Sequence, residues 1–429
     1  MRLRAAFHLI KPAIVRLRRH QAMNFLFIHQ CFATQFLHTS RALAEAGHRV
    51  VSISQGRKGK HKKPLQLIQR EVYKTRKRKY PYLLERYGEA VANAEAVAGV
   101  LDRLTAQGFV PDLVIGHAAW GEMLYLRDVW PDRPLLGYFE NFHGIQPGAM
   151  FDPEQTMDRD ERIELRTSSA IDLISLNVID RALAPTVCQR NSFPRIYWNK
   201  FDVIHEGVDT DSLRPNLNAR VWVSDELSLS PQDEVLTYCS RSLEPHRGFL
   251  TFMRALPEVM RRRSKLHVVI VGRDDTSYSN PCTTHKNYRE KMLEEVGKGL
   301  DMSRVHFFAG LKYHQYLALL QVSSAHVFLT HPFTLSWSLT EAMSLGCLIV
   351  GSRTPPVEEV ITHGDNGFLV DFFDYQGLAA QLVDVLKNRA KLQPVRTSAR
   401  ETIVKRLDLR RICLPQHLRL YSRMLRIRR

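Results

Sequence analysis

Cysteine is sparse in this chain of 429 residues, and its six, Cys31, Cys188, Cys239, Cys282, Cys347 and Cys413, lie far apart. They form neither CxxC pairs nor the dense framework of a small secreted domain; this excludes a disulfide scaffold and reads as buried thiols of a cytosolic protein. Long apolar runs are missing as well. No stretch approaches the roughly 20 consecutive apolar residues that a spanning helix requires, and the longest, such as residues 268–272, have the length of a buried strand. The first 22 residues contain no acid, yet they lack the apolar core and small-residue cleavage pattern of a secretory signal. Residues 1–22 are therefore expected to be a basic extension ahead of a fold that begins at Met23. Acid is short overall: 44 Asp and Glu stand against 61 Lys and Arg, a formal net charge of +17. The excess gathers in residues 57–79, where Glu71 interrupts a run of lysines and arginines, and in the tail, with Arg419, Arg423, Arg426, Arg428 and Arg429. Such clusters attract anionic headgroups or phosphorylated acceptors, while a solvated basic loop is the plain alternative.

What is present is a soluble apolar content of 44% and enough length for two domains. Residues 24–29 (NFLFIH), an amphipathic stretch at 35–46 and residues 49–53 (RVVSI) make a strand–helix–strand unit. After the basic insertion, a helical period covers 82–107, and short strands are expected at 112–115, 135–139, before Ala184, and at 202–204. The period breaks at 205–215 and restarts with a strand at 235–239, a helix at 248–262 and a strand at 267–271. Helices at 286–299, 313–321, 338–345 and 375–387 then alternate with strands at 305–308, 325–329 and 348–351. Strands separated by helices argue for parallel sheets covered on both faces. The expected fold class is α/β with two Rossmann-like, doubly wound domains, at 23–205 and 206–400, followed by a basic helical tail at 401–429. Ligands of such sheets sit beyond the carboxyl ends of the strands.

Two segments carry the chemistry. In HPFTLSWSLTEAMSLG, Ser336, Trp337 and Ser338 open a helix whose unpaired amides suit a diphosphate, and Glu341 lies one turn further in, placed to accept from a ribose diol. Complementing the helix dipole is the structural alternative for that carboxylate. In CSRSLEPHRGF, Arg241 and Arg247 follow a central strand, where guanidinium forks suit phosphate oxygens and offset charge on a leaving diphosphate. On the acceptor side the candidates are Thr34, His117, Glu140 and His143, with Glu140 the first choice for orienting a hydroxyl and His143 more readily structural.

With these segments in hand, the chain resembles the glycosyltransferase family 4 group, which has the GT-B fold. The likeness runs from about residue 23 to 408 through FIHQCFATQFLHTSRALAEAGHRV, IHEGVDTDSLRP, SRSLEPHRGFLTFMRAL, VVIVGRD and FTLSWSLTEAMSLGCLIVGS. It implies a cytosolic enzyme that moves a sugar from a nucleotide diphosphate to an acceptor with retention at the anomeric carbon; the basic run at 57–79 adds the expectation of peripheral contact with an anionic membrane at its inner face, where a glycan or lipid-linked acceptor is presented. The nucleotide sugar is then a co-substrate, with no cofactor and no metal expected. By the same resemblance Arg241 and Arg247 fall at the diphosphate-binding positions and Glu341 at the second Glu of an E-x7-E signature. Phe333 stands where the first Glu would be, so main-chain groups at 334–337 are expected to contact the sugar instead. The turn Cys31–Phe32–Ala33–Thr34 replaces a glycine-rich one, which restricts backbone approach. A sugar-nucleotide epimerase or hydrolase shares these anchors. A nucleic-acid or glycan binder would explain the charge, but the basic run has few aromatics, Tyr73, Tyr80 and Tyr82, and no RNA-binding signature, so no nucleic acid is expected. Asp209–Thr210–Asp211 spells DxD but is expected to be a connection rather than a metal site, and Arg273–Asp274–Asp275 is either a loop cap or a nucleoside contact.

Overall fold

A computed structural model describes residues 22–56, 65–76, 78–142, 144 and 157–426. The chain divides into two compact units: the first holds the residues up to 144, 157–207 and the stretch from 409, and the second holds 208–408.

In the first unit the strands are β1 (Asn24–Ile28), β2 (Arg49–Gln55), β3 (Gln69–Tyr73), β4 (Leu113–His117), β5 (Leu135–Tyr138), β6 (Arg181–Ala184) and β7 (Phe201–Val203). They form one sheet in the order β3-β2-β1-β4-β5-β6-β7, every pair parallel. The runs NFLFI and LVIGH are apolar at consecutive positions because both faces of these central strands are covered. Helices α1 (Leu37–Glu45), α2 (Glu85–Ala106) and α3 (Arg159–Val178) connect them. The start of α3 is fixed by a capping box in which Asp158 accepts from the Glu161 amide and Glu161 accepts from the Asp158 amide.

The second unit opens with a small hairpin, β8 (Val221–Trp222) and β9 (Ser228–Leu229). A parallel sheet follows, in the order β12-β11-β10-β13-β14-β15. Its strands are β10 (Val235–Ser242), β11 (His267–Arg273), β12 (Val305–Phe308), β13 (Ala325–Phe328), β14 (Ile349–Ser352) and β15 (Phe368–Val370). The helices are α4 (Phe249–Arg262), α5 (Tyr288–Val296), α6 (Tyr313–Val322), α7 (Trp337–Ser344), α8 (Tyr375–Lys387) and α9 (Gln393–Arg406). In α4, Phe249, Phe252, Met253, Leu256, Val259 and Met260 recur at helical spacing and are all buried against the sheet. Each contributes about 1.5–3 kcal/mol by leaving water.

The expected pair of doubly wound domains is therefore present. Three segments differ from expectation. The basic insertion at 57–79 is not all loop, since β3 crosses it and adds an edge strand on β2. The first unit runs to Gly207 rather than ending at 205. The stretch from 401 is not a separate tail. Residues 401–406 complete α9 in the second unit, and the chain then re-enters the first unit as α10 (Leu414–Met424). Leu414, Leu418 and Tyr421 on α10 lie in the core with Phe25, Phe27 and Phe36, an apolar stripe that the surrounding arginines hide in composition. The basic extension expected at 1–22 lies, except for Ala22, outside the described residues.

In both sheets the order of connection reverses once. Successive strands run outward on one side from β1 and on the other from β4, and likewise from β10 and β13. At such a switch point the loops leaving two neighbouring strands diverge and open a crevice at their carboxyl ends.

Candidate functional site

In the second unit, a cavity of about 540 Å³ lies at the carboxyl ends of β10 and β13, lined among others by Arg241, Arg247, Arg273, Tyr278, Ser336 and Ser338. Arg241 is the seventh residue of β10, and Arg247 ends the turn that follows. Gly248 takes φ +67° between that turn and α4, and a Cβ there would sit 2.4 Å from the Leu329 Cβ. A side chain is thus excluded where the loop closes over β13. The Arg247 guanidinium donates to the Thr330 Oγ1 at 2.7 Å and lies 5.2 Å from the Tyr278 ring centroid, so its fork is held in place while it faces the cavity. Opposite, Ser336 caps α7 by accepting from the Ser338 amide at 3.3 Å, and the two hydroxyls are 2.8 Å apart. Trp337 at the helix start is 43% exposed. Arginines and helix start therefore meet at one cavity, which is the arrangement an anion with several oxygens requires.

Glu341 follows one turn on. The Tyr313 hydroxyl donates to its Oε1 at 2.7 Å, and both Tyr313 and Tyr316 line the same cavity. Burial raises the Glu341 carboxyl above its ordinary value, against the hydrogen bonds from Tyr313 and Tyr316. The loop carrying Tyr278 is held by Glu244, a fully buried residue whose Oε2 accepts from the amides of Ser277, Tyr278 and Ser279 at 2.8, 2.9 and 3.0 Å. Three consecutive amides on one carboxylate oxygen fix that loop much as an anion fills a backbone nest.

The first unit has its own polar cluster at its switch point. Glu140, just past β5, accepts from the Gln35 amide at 2.7 Å and has its other oxygen 3.8 Å from the His117 Nε2. The Cys31 amide donates to the His29 Nδ1 at 2.8 Å, which places the His29 proton on Nε2, toward Gln35 Oε1 at 2.9 Å and Thr34 Oγ1 at 2.8 Å. A hydrogen-bonded line thus runs from the turn after β1 through His29 and Gln35 to Glu140. His117 ends β4, is fully buried, and stacks on Trp120 with centroids 4.2 Å apart. Burial and then His117 lower the His29 imidazole to about 3, so it is neutral. Burial pushes the Glu140 carboxyl up, but His117, Gln35 and His29 together hold it below its ordinary value, so it is ionised at neutral pH. His143 lies outside the described residues.

Two family models meet end to end on this architecture: the glycosyl transferase family 4 group over residues 46–213 and the glycosyl transferases group 1 over residues 223–402. The chain thus carries a family 4 group domain followed by a group 1 domain of the glycosyl transferases. It is 31% identical over 108 residues to the N-acetyl-alpha-D-glucosaminyl L-malate synthase of Bacillus anthracis, covering 25% of this chain and 28% of that one. It is 22% identical over 257 residues to the 2-deoxystreptamine N-acetyl-D-glucosaminyltransferase of Niallia circulans, covering 59% and 62%. The matched stretch thus spans less than two thirds of either curated relative. The GT-B fold is shared with an Anabaena protein crystallised with UDP and glucose, at a TM-score of 0.65 and 17% identity over 94% of this chain and 99% of that one.

Within this transferase, the position that the signature would give to a first Glu is Phe333, whose ring lies 5.0 Å from Tyr278 and 5.1 Å from His246. Asp209 accepts from the Ser212 amide and hydroxyl, and the Thr210 hydroxyl bonds to Asp408, so the DxD sequence caps a connection. Among the described residues no group of three or more His, Cys, Asp or Glu is placed to hold a metal ion, and no helix is long and apolar enough to cross a membrane. In 273–275, Arg273 pairs with Asp275 at 3.2 Å and also lines the cavity, while Asp275 accepts from Ser242 at 2.7 Å. The cap and the cavity wall are one structure. Sequence reasoning missed Glu244, Tyr278, Tyr313 and Gln35. Glu244 stands inside the quoted SRSLEPHRG segment, and a carboxylate in an otherwise basic loop was the available signal. Tyr313 and Tyr278 are brought in by tertiary packing from 28 residues before Glu341 and from the loop after β11.

Proposed function

We propose that the chain is a retaining glycosyltransferase that moves a sugar from a nucleotide diphosphate to a hydroxyl of a glycan or lipid-linked acceptor, in the synthesis of a cell-surface polysaccharide or glycolipid. The convergence of Arg241, Arg247 and the start of α7 on one cavity carries this reading. The bond between the anomeric carbon and the diphosphate oxygen breaks, and charge grows on the departing phosphate. The two guanidinium groups and the amides at Ser336–Ser338 stabilise that charge in place of a metal ion. The acceptor oxygen bonds to the same face of the anomeric carbon, and its proton passes to the departing phosphate oxygen, so no separate base is needed. Glu341 accepts from the ribose diol. In the first unit, the ionised Glu140, steered by Gln35 and His117, orients the acceptor hydroxyl, with Thr34 beside it on His29.

The test is a thermal-shift panel of UDP, GDP and dTDP and their sugar conjugates, followed by analysis of the anomeric configuration of the product. UDP conjugates are the first choice, since the Anabaena neighbour was crystallised with UDP. One nucleoside diphosphate is expected to stabilise the protein, and transfer is expected to require an acceptor. If no nucleotide shifts the transition, the reading fails; release of free or epimerised sugar without acceptor identifies a hydrolase or epimerase instead.

The same reading places the enzyme at the cytoplasmic face of an anionic membrane. Lys74, Arg76 and Lys79 are exposed after β3, and they continue the basic run of 57–79, of which 57–64 and Lys77 lie outside the described residues. Charge attraction of this kind is screened by salt. Sedimentation with phosphatidylserine vesicles should retain the protein at low salt and release it at high salt; no retention at low salt removes the membrane from the proposal.

A further inference from the structure

The loop from β11 to α5 carries a second set of reactive groups. The Cys282 Sγ lies 3.6 Å from the Thr284 Oγ1, that hydroxyl is 2.8 Å from the His285 Nδ1, and the His285 Nε2 is 2.7 Å from the Glu294 Oε2. Thiol, hydroxyl, imidazole and carboxylate thus form one line. The loop is pinned on both sides of it. Glu244 holds the amides of Ser277, Tyr278 and Ser279, the Tyr288 hydroxyl donates to the Asn280 carbonyl at 3.0 Å, and Asn287 caps α5 by accepting from the Glu290 amide at 2.8 Å. The ring turns opposite nitrogens toward the cysteine and the carboxylate. The groups therefore do not converge on one point as metal ligands would, and the line suits transfer of a proton. Burial pushes the Cys282 thiol up, but hydrogen bonds from Thr284 and His285 outweigh it and hold the thiol below its ordinary value. The hydrogen bond with Glu294 holds His285 above its own. Not all six cysteines are the buried thiols expected from the sequence: Cys31 is exposed and Cys282 half-buried, whereas Cys347 and Cys413 are buried. Burial raises the Cys239 and Cys347 thiols.

We propose that Cys282 is a modification site that takes low-molecular-weight disulfides, with His285 and Glu294 as its positioning residues. A nucleophile, a proton acceptor within reach and a carboxylate that orients the acceptor are the parts an activated thiol needs. The Cys282 thiol gives its proton through Thr284 to His285, and its sulfur attacks one sulfur of the disulfide. A bond forms between those two sulfurs, the bond within the disulfide breaks, and its electron pair leaves with the second sulfur, which takes up a proton as a free thiol. Cys282 is oxidised and the departing half of the disulfide is reduced. At pH 7 an ordinary thiol is a few per cent ionised, so full ionisation raises the rate by about 30-fold at most, and the weaker nucleophilicity of a stabilised thiolate takes part of that back. The lining of the donor cavity contains none of these four residues, so the site does not depend on the donor reading.

The experiment is reaction of the full chain with hydroxyethyl disulfide at pH 7, followed over time by intact mass and by peptide mapping of the adduct. Cys282 is expected to be modified first, ahead of the more exposed Cys31. His285→Ala should slow formation of the Cys282 adduct by roughly 3-fold to 10-fold, and Glu294→Gln, which keeps a hydrogen-bond partner but removes the charge, by less. The ultraviolet absorption of the thiolate, read as the difference between each protein and its Cys282→Ser counterpart, should weaken in the same order. Loss of structure alone acts in the opposite direction, since an opened loop exposes the sulfur and speeds the reaction. The Glu294 side chain is 76% exposed, so Glu294→Gln keeps the test open even where His285→Ala does not fold. Earlier modification of Cys31 or of any other thiol overturns the proposal, as does a Cys282 rate that either folded variant leaves unchanged or raises.

Discussion

Arg247 is expected to count for more than its charge, because the Thr330 hydroxyl and the Tyr278 ring fix the direction of its guanidinium. Removing one preoriented donor from a developing oxyanion costs about 3–4 kcal/mol, so Arg247→Ala should lower kcat/KM by roughly 100-fold to 1000-fold. A loss below tenfold in steady-state assays would mean that Arg247 does not touch the leaving group. Glu341 makes the opposite point about stability. Its carboxyl is raised by burial, so below its ordinary range it is neutral whether folded or unfolded, and as pH rises through the folded value the fold pays to ionise it. Glu341→Gln keeps an acceptor for the Tyr313 hydroxyl and sheds that cost; the free protein should melt higher at pH 7 but not at pH 4, while donor affinity falls. A variant that melts lower at pH 7 would assign the carboxylate a structural role. His29 titrates the other way. Neutral in the fold down to about pH 3 and protonated when unfolded below 6.5, it makes stability fall as pH drops through that window, by about 1.4 kcal/mol per pH unit. His29→Gln should flatten the melting-temperature profile between pH 6 and 4, and an unchanged acid slope would place the sensitivity elsewhere. These residues were unequally visible in the sequence. Arg241, Arg247 and Glu341 sit at fixed places beside strand ends and a helix start, which spacing reveals. The Gln35 amide and the Tyr313 hydroxyl reach their carboxylates from other segments, and nothing local to either residue announces that contact.

At the level of elements, periodicity located those buried on one stripe or on both faces. Helix α8 falls on 375–387 and β12 on 305–308, the ranges expected from the sequence. β12 is an edge strand too, but β3, β15 and the β8–β9 hairpin were less legible: β3 reads QREVY, β15 is three residues long, and the hairpin has no core-length apolar run. Helix α10 was expected as part of a basic helical tail; it is helical, but Leu414, Leu418, Leu420, Tyr421 and Met424 take it into the core, and Leu418 and Tyr421 are at most 1% exposed. Packing should therefore dominate there. Leu418→Ala is expected to destabilise the first unit by about 2–5 kcal/mol in urea titrations, whereas Arg419→Ala should change little. Equal, small effects would mean that α10 is merely appended. The turn between β10 and α4 makes a second case. Gly248→Ala adds a Cβ at positive φ against Leu329, and the backbone strain alone is worth about 1–3 kcal/mol. Because the displaced turn carries Arg247, this variant should lose donor affinity along with stability.

Over the whole molecule, the two units have separate hydrophobic cores, the largest of the second unit built on α4 and α8, and those of the first on the two faces of its sheet. The chain passes between units at 207–208 and again at 408–409. A nucleoside diphosphate that binds through Arg241, Arg247 and α7 interacts with groups of the second unit. By mass action it adds about 2.7 kcal/mol to the state that binds it at a hundredfold excess over Kd. Local openings within one unit are then suppressed only if they destroy the site. Hydrogen exchange with saturating nucleoside diphosphate should accordingly slow most in β10, α4, β13 and α7, while the amides of β1, α1 and α10 exchange nearly as before. Equal protection in both units would show that they open as one cooperative body, and protection confined to the first would move the donor site away from the two arginines. An Arg247→Ala control decides between a site effect and general stabilisation: the slowed exchange in α7 should disappear with that side chain, even at nucleotide concentrations that leave the fold intact.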